Sequence, residues 1–291
     1  MKGVIFTDVR KENFLPLTHY KSTVLLPIAN RPILDYAVSR MLSMGVKDIT
    51  FVLGKQSEDV VEYVRGYLDV KPTFVECPYY NARDFGKDDE KVVIIDPMRI
   101  NFVENERKFL SSETFLAVET TENHTHSGTY IIRADLFSYI YPHPYCNTAE
   151  FISEVSSFRV KTEYVKSVGY HKRLLDLEDY FDANFDLMNK RKYEACRLSR
   201  VRNRRKGSNL IAENALVSGK ISNCIIGEGA IIPSSAILDK CIVLPGEYVD
   251  GKHSYNIIGR DFALNPLIDS VNLKNLENTT NIFNLFAEIR L

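Results

Sequence analysis

Short apolar runs alternate with helically spaced apolar positions along the first two-thirds of the chain. Residues 2–7 (KGVIFT), 48–53 (DITFVL), 72–77 and 91–95 (KVVII) are rich in β-branched and aromatic residues and read as buried strands. Between the first two, Leu34, Val38, Met41 and Leu42 share one helical face. Asn30 is the expected N-cap of that helix, Pro32 falls in its first turn and Gly45 stops it. A second helix is expected over 58–68, capped by Ser57, with Val60, Val61, Val64 and Leu68 facing inward. Next come a strand at 129–133 (TYIIR), a helix near 134–141, a helix over 149–158 capped by Thr148, and a strand over 161–168. A long amphipathic helix over 176–193 is built on Leu177, Tyr180, Phe181, Phe185 and Leu187. Strands alternating with helices imply a parallel sheet with helical crossovers, hence an α/β layer fold of Rossmann type.

After Gly207 the period changes. Ile211 and Val217 keep one six-residue register. Ile226, Ile232, Leu238 and Leu244 keep another, after a three-residue offset near 221–223. Glycine and small residues fill the positions between. This is the hexapeptide pattern of a short left-handed parallel β-helix of roughly three turns, with the periodic aliphatic residues stacked inside. The expected layout is an α/β domain over 1–195, a basic linker over 196–207, the β-helix over 208–262 and an amphipathic segment over 263–291. That last segment would cap the β-helix or meet a partner.

The 291 residues are 45% hydrophobic and 26% charged, enough to bury a real core in one large or two smaller domains. A net charge of −1 gives no global bias toward nucleic acid or an anionic membrane. Five scattered cysteines without metal-ligand spacing are expected to be reduced thiols. No membrane span or signal peptide is legible, so a cytoplasmic location is expected. Residues 190–206 carry nine Lys or Arg among seventeen. A solvated helix end and linker is the plain reading, and an anion or RNA site the sharper one. His124 and His126, with Glu122 nearby, read as loop polar residues before they read as metal ligands.

Three groups of residues carry a family resemblance. Leu25-Leu26-Pro27-Ile28-Ala29-Asn30-Arg31-Pro32-Ile33-Leu34, preceded by Pro16-Leu17-Thr18, is the first. His126-Ser127-Gly128-Thr129-Tyr130 is similar to an N-x-G-x-Y strand. Gly169-Tyr170-His171, followed by Leu177-Glu178-Asp179-Tyr180 and Ala183-Asn184, is similar to G-Y-W-x-D-I-G-T-P-E-D-Y-x-x-A-N. Together they span most of the chain. They resemble the sugar-1-phosphate nucleotidyltransferases, as represented by the ADP-glucose and GDP-mannose pyrophosphorylases. The same two-part layout occurs in the gamma and epsilon subunits of the translation factor that recycles initiation factor 2.

The resemblance implies attack of a sugar 1-phosphate on the α-phosphate of a nucleoside triphosphate. Backbone donors, cations and Mg²⁺ hold the charge in that reaction. The family's G-G-x-G-T-R loop supplies the donors, but here its positions hold Asp8, Val9, Arg10, Lys11, Glu12 and Asn13. The family lysine is replaced at Ser22 and Thr23, with Lys21 two positions away. Asp96 stands for the first metal-binding aspartate, and Arg173 stands where the second belongs. The sugar-binding E-K-P segment has no counterpart, so the α/β domain looks trimmed. These losses imply a non-catalytic, regulatory or scaffolding subunit of nucleotide-sugar metabolism, for glycogen or polysaccharide. It would form a homo-oligomer, or a hetero-oligomer with an active pyrophosphorylase. Arg10, Lys11 and Lys21 are candidates for a vestigial nucleotide or sugar-nucleotide site, with Asp96 as the metal candidate. No cofactor is expected, and Mg²⁺ only for the alternative of a divergent active transferase. A further alternative is a translation-complex or RNA-binding module using the basic segment.

Overall fold

The computed structural model describes residues 1–9, 12–55, 57–77, 84–87, 90–103, 109–137, 147–189 and 202–269. The N-terminal part is built on a seven-stranded sheet. Its strands are β1 (Lys2–Phe6), β2 (Asp48–Leu53), β3 (Lys71–Glu76), β4 (Lys91–Ile95), β6 (Leu116–Thr120), β7 (His126–Arg133) and β8 (Thr162–Lys166). A separate two-stranded ladder joins β5 (Arg99–Val103) to β9 (Gly169–Arg173). The large sheet runs β8-β6-β7-β4-β1-β2-β3. Only β7 is antiparallel to its neighbours; β1, β2, β3 and β4 are mutually parallel. Helices α1 (Ile33–Ser43), α2 (Glu58–Arg65), α3 (Thr148–Ser157) and α4 (Leu177–Asn189) complete this part. The strand centres are sealed on both faces, as in Val4, Ile5, Val93 and Ile94, which is why they read as continuous apolar runs.

Several local expectations are corrected. Asn30 does not cap α1. It sits with Ala29 in the left-handed region, at φ 62° and 48°, as the two-residue turn of a small hairpin between Pro27–Ile28 and Arg31–Pro32. Such turns require positive φ at both central residues, which asparagine tolerates. Pro32 precedes α1 instead of lying in its first turn. Gly45 does follow α1, at φ 77°. Ser57 precedes α2 but turns its hydroxyl back to the Gly54 carbonyl, and α2 stops at Arg65, leaving Leu68 98% exposed. Helix α3 is capped by the Asn147 side chain, which accepts from Glu150 N at 2.9 Å, not by Thr148. Cys77 is disulfide-bonded, so the expectation of five free thiols fails there. Cys224 and Cys241 are free and buried.

From Asn209 the chain winds into a parallel coil of three faces. The first face stacks Asn209–Ala212, Ile225–Ile226, Ile242–Val243 and Ile257–Gly259; the second pairs Leu216–Val217 with Ile231–Ile232; the third stacks Lys220–Ser222, Ile237–Asp239 and Lys252–Ser254. Successive turns on the first face align Leu210 with Ile225, Ile242 and Ile257. These steps are 15, 17 and 15 residues, not three hexapeptides. The short turn moves Val243, not Leu244, into the coil interior beside Ile226 and Leu238. Leu244 looks outward to the α/β part.

The doubled aliphatic residues of the first face explain how the parts join. Side chains alternate across a strand. Ile211, Ile226, Val243 and Ile258 therefore fill the coil interior. Leu210, Ile225, Ile242 and Ile257 point the other way and share a core with Phe14, Ile33, Tyr36, Tyr180, Phe181 and Phe185. Each such aliphatic burial contributes about 1.5–3 kcal/mol. The hydrogen bonds at the joint contribute about 0.5–1.5 kcal/mol each, so apolar contact holds the joint and the hydrogen bonds fix its register. Asn30 Nδ2 donates to Asn203 Oδ1 and to the Ile226 carbonyl, both at 2.9 Å. The hairpin is held from α4 by Asn184 Oδ1 on Ala29 N and by Tyr180 Oη on the Pro27 carbonyl.

Candidate functional site

The parallel order β3-β2-β1-β4 places a switch of connection direction between β1 and β4. In open α/β sheets, ligands bind beyond the carboxyl ends of the strands at such a point. Here the chain leaving β1 carries Asp8 and the chain leaving β4 carries Asp96. Both line a cleft of about 940 Å³, together with Glu12, Lys55, Glu150 and Arg173. Asp8 lies flat against Gly54, where a Cβ would stand 2.4 Å from its Cγ. Glu150 arrives on the first turn of α3.

Asp96 is already engaged. Arg99 Nε lies 3.4 Å from its Oδ2, and the Met98 N–H donates to Oδ1 at 3.0 Å. Arg99 is held in turn by the His126 carbonyl, 2.6 Å from Nη1, and it packs over Gly128, whose absent Cβ makes room for it. Across the β5–β9 ladder, Arg99 is the register partner of Arg173. Two guanidinium groups thus flank one carboxylate. Burial raises the Asp96 pKa, while Arg99, the Met98 N–H and Arg173 pull it down. Tyr130, on the neighbouring strand, is pushed up to about 12 by burial and by Asp96. His126 is lowered by burial and then by Arg99.

A carboxylate whose folded pKa is raised destabilises the fold as it ionises. Its cost is absent at acid pH, sets in as pH rises through the unfolded value, and is complete above the folded value. Asp96→Asn is therefore expected to be more stable than wild type at neutral pH. That gain should vanish below the carboxylate range. Urea melts of both proteins between pH 3 and 8 check this, and a constant difference across the range contradicts it.

The donor set does not suit Mg²⁺, which needs several oxygen ligands in octahedral array. Asp96 is paired with Arg99, Arg173 repels a cation, and no group of three His, Cys, Asp or Glu among the described residues is placed to hold a metal. Four carboxylates against two cations along the described lining also oppose a triphosphate.

Of the residues singled out from the sequence, Asp8, Val9, Glu12, Asn13, Asp96 and Arg173 line this cleft. Lys21 is exposed and does not line it. The adjacent Ser22 is tied to Asp59 of α2 through its N–H and hydroxyl, at 2.8 and 2.6 Å. Arg10, Lys11 and most of the basic segment lie outside the described residues. The described end of that segment is spent on structure: Arg204 donates to the Ala215 carbonyl and Arg205 to that of Met188. His124 sits in a turn at φ 58°. Sequence reasoning missed Arg99, although its i,i+3 spacing from Asp96 suits an ion pair, and missed Glu150. Among the described residues no helix is long and apolar enough to cross a membrane.

No protein-family model matches the chain. Curated proteins do. The low-salt glycan biosynthesis nucleotidyltransferase Agl11 of Haloferax volcanii is 32% identical over 66 residues, 23% of this chain and 18% of that protein. A glucose-1-phosphate thymidylyltransferase of Streptomyces griseus is 28% identical over 116 residues, 36% of this chain and 33% of that protein. The chain thus spans a third or less of the length of these relatives. In fold, it matches a Bacillus anthracis protein provisionally named a glucose-1-phosphate thymidylyltransferase and crystallised with sucrose. The TM-score is 0.52 at 18% identity, covering 63% of this chain and 93% of that one.

Proposed function

We propose that this chain is a non-catalytic member of the sugar-1-phosphate nucleotidyltransferase family, a reading supported by its partial likeness to curated nucleotidyltransferases and by its fold. It serves as a regulatory or scaffolding subunit of nucleotide-sugar metabolism, beside an active homologue or copies of itself. The observation that carries this reading is the Asp96–Arg99 ion pair with Arg173 opposite. Nucleotidyl transfer needs preorganised positive charge and metal at the reacting phosphate, and one such contact is commonly worth about 3–4 kcal/mol in the transition state. Here the carboxylate is neutralised by the protein itself, and Asp8 and Glu12 add negative charge to the cleft where a phosphate loop would supply donors. The Haloferax relative is named for glycan biosynthesis, which favours a place near polysaccharide assembly.

Exchange of labelled pyrophosphate into a panel of nucleotide sugars with Mg²⁺ tests this. No exchange above the blank is expected. Turnover that Asp96→Asn abolishes would overturn the proposal in favour of a divergent active transferase. The regulatory part is tested by mixing with a catalytic homologue: co-elution and a changed rate are expected, and the absence of both counts against it.

A further inference from the structure

The last described residues begin a helix. Phe262–Leu264 turns back antiparallel along Ile257–Gly259, with Leu264 opposite Ile257. The chain therefore leaves the coil at its last turn, at the corner between the third and first faces. There Asn265 Oδ1 accepts from Leu267 N at 3.1 Å, and the Asn265 carbonyl accepts from Asp269 N at 2.9 Å. Asparagine followed by proline is a helix start, and residues 266–269 form its first turn. On that turn Leu267 and Ile268 are 51% and 62% exposed. Residues 270–291 follow, outside the described residues, and their sequence continues the pattern. Val271 falls at helical spacing from Leu267 and Ile268. After the polar Asn278-Thr279-Thr280-Asn281, the residues Ile282, Phe286 and Ile289 share a second helical stripe. Lys274 and Arg290 balance Glu277 and Glu288, so apolar contact, not charge, is what this segment offers.

An apolar column of matching length lies on the second face of the coil. Leu216 pairs with Ile231, and Ile231 bridges to Tyr248. These side chains are 64%, 41% and 64% exposed, while their neighbours Val217, Ile232 and Val249 are turned to the interior. A contiguous apolar column in water along a rigid coil marks a contact surface. Its three positions, one coil turn apart at about 4.8 Å, span about 10 Å. A helix repeats every 5.4 Å or so, and ten residues of it run about 15 Å. Ile282, Phe286 and Ile289 are therefore spaced to meet the three positions in turn. The reach agrees as well. Coil turns of 15 and 17 residues give each face about five residues, or about 17 Å. Residues 270–281 cover about 18 Å as helix, enough to pass from the exit corner across the last turn to Tyr248. We propose that residues 270–291 cover the second face of their own coil, 270–281 crossing the last turn and 282–291 lying along Leu216, Ile231 and Tyr248. Two apolar surfaces leave water in one contact, and the placement holds whether or not the cleft is catalytic.

The sequence has no tryptophan, so Phe286→Trp places a single fluorescent reporter in the segment of the full chain. Its emission is expected at shorter wavelength than in urea, protected from acrylamide quenching, and unchanged by dilution or high salt. Adding Leu216→Glu with Tyr248→Glu should shift the emission to the red and remove the protection. Adding Ile237→Glu, on the third face, should do neither. All three positions are exposed, so circular-dichroism melts should match the parent protein. Should the double substitution fail to fold, Tyr248→Ser is expected to shift the emission in the same direction. Water-exposed emission from the parent protein overturns the proposal. So does shielding that survives Leu216→Glu with Tyr248→Glu, which puts the segment elsewhere, and shielding lost on dilution, which gives the face to a second copy. None of these readings involves nucleotidyl transfer, so failure here and failure of the non-catalytic reading are distinguishable.

Discussion

Glu119→Ala is expected to cost about 3–5 kcal/mol of stability, the penalty for stranding a buried charge. Glu119 lies on β6, fully buried. Its Oε1 accepts from Arg40 Nη2 at 2.8 Å and its Oε2 accepts from the Ser127 hydroxyl at 2.6 Å. Arg40 belongs to α1 and is itself 5% exposed. Removing the carboxylate takes away the anion that the buried Arg40 Nη2 meets. A domain of ordinary stability has about 5–15 kcal/mol in total, so the variant should sit near the edge of folding. Replacing both partners, Arg40→Met with Glu119→Leu, should recover most of the loss, since well-packed apolar pairs match buried ion pairs. Denaturant titrations of the single and double variants check this. A single variant within about 1 kcal/mol of wild type would mean that the pair behaves as a solvated one.

The second large effect concerns the joint. Phe181→Ala removes a buried ring, 3% exposed, from the layer where α4 meets Leu210, Ile225, Ile242 and Ile257. A loss of about 3–5 kcal/mol follows from the size of the ring and the cavity it leaves. Because this layer belongs to one continuous core, wild type should unfold in a single transition. The variant should lower the α/β sheet and the coil together. Calorimetry resolves it: two separate transitions in wild type would show that the coil is thermodynamically independent.

The parallel sheet was legible because its strands are apolar on both faces and separated by helices of clear period. The β5–β9 ladder was not. RINFV and GYHKR mix charged and apolar residues, and each finds its partner about seventy residues away, beyond any local signal. Asn30 misled for a definable reason. Asparagine favours both helix N-caps and left-handed turns, and only the Pro27–Pro32 pairing decides between them. The coil was recognisable by its spacing, but a six-residue count ran past the seventeen-residue turn and put Leu244 inside. The doubled aliphatics, one inward and one outward, were visible in the sequence and announced the joint without being read. At the cleft, Arg173 was placed by resemblance. Arg99 and Glu150 needed the fold, because Glu150 comes from α3 and Arg99 opposes Arg173 only across the ladder.

The hairpin at Pro27–Pro32 has a consequence for how such chains are classified. Its turn is gripped by Asn184 from one side and, through Asn30, by Asn203 and the Ile226 carbonyl from the other. Those bonds fasten two modules, and none of them reaches the cleft. A match to this stretch therefore certifies an architectural hinge-pin, which a protein must keep to stay assembled whether or not it still turns over a substrate. Annotation transferred on the strength of these six residues would credit working enzymes and silent ones alike.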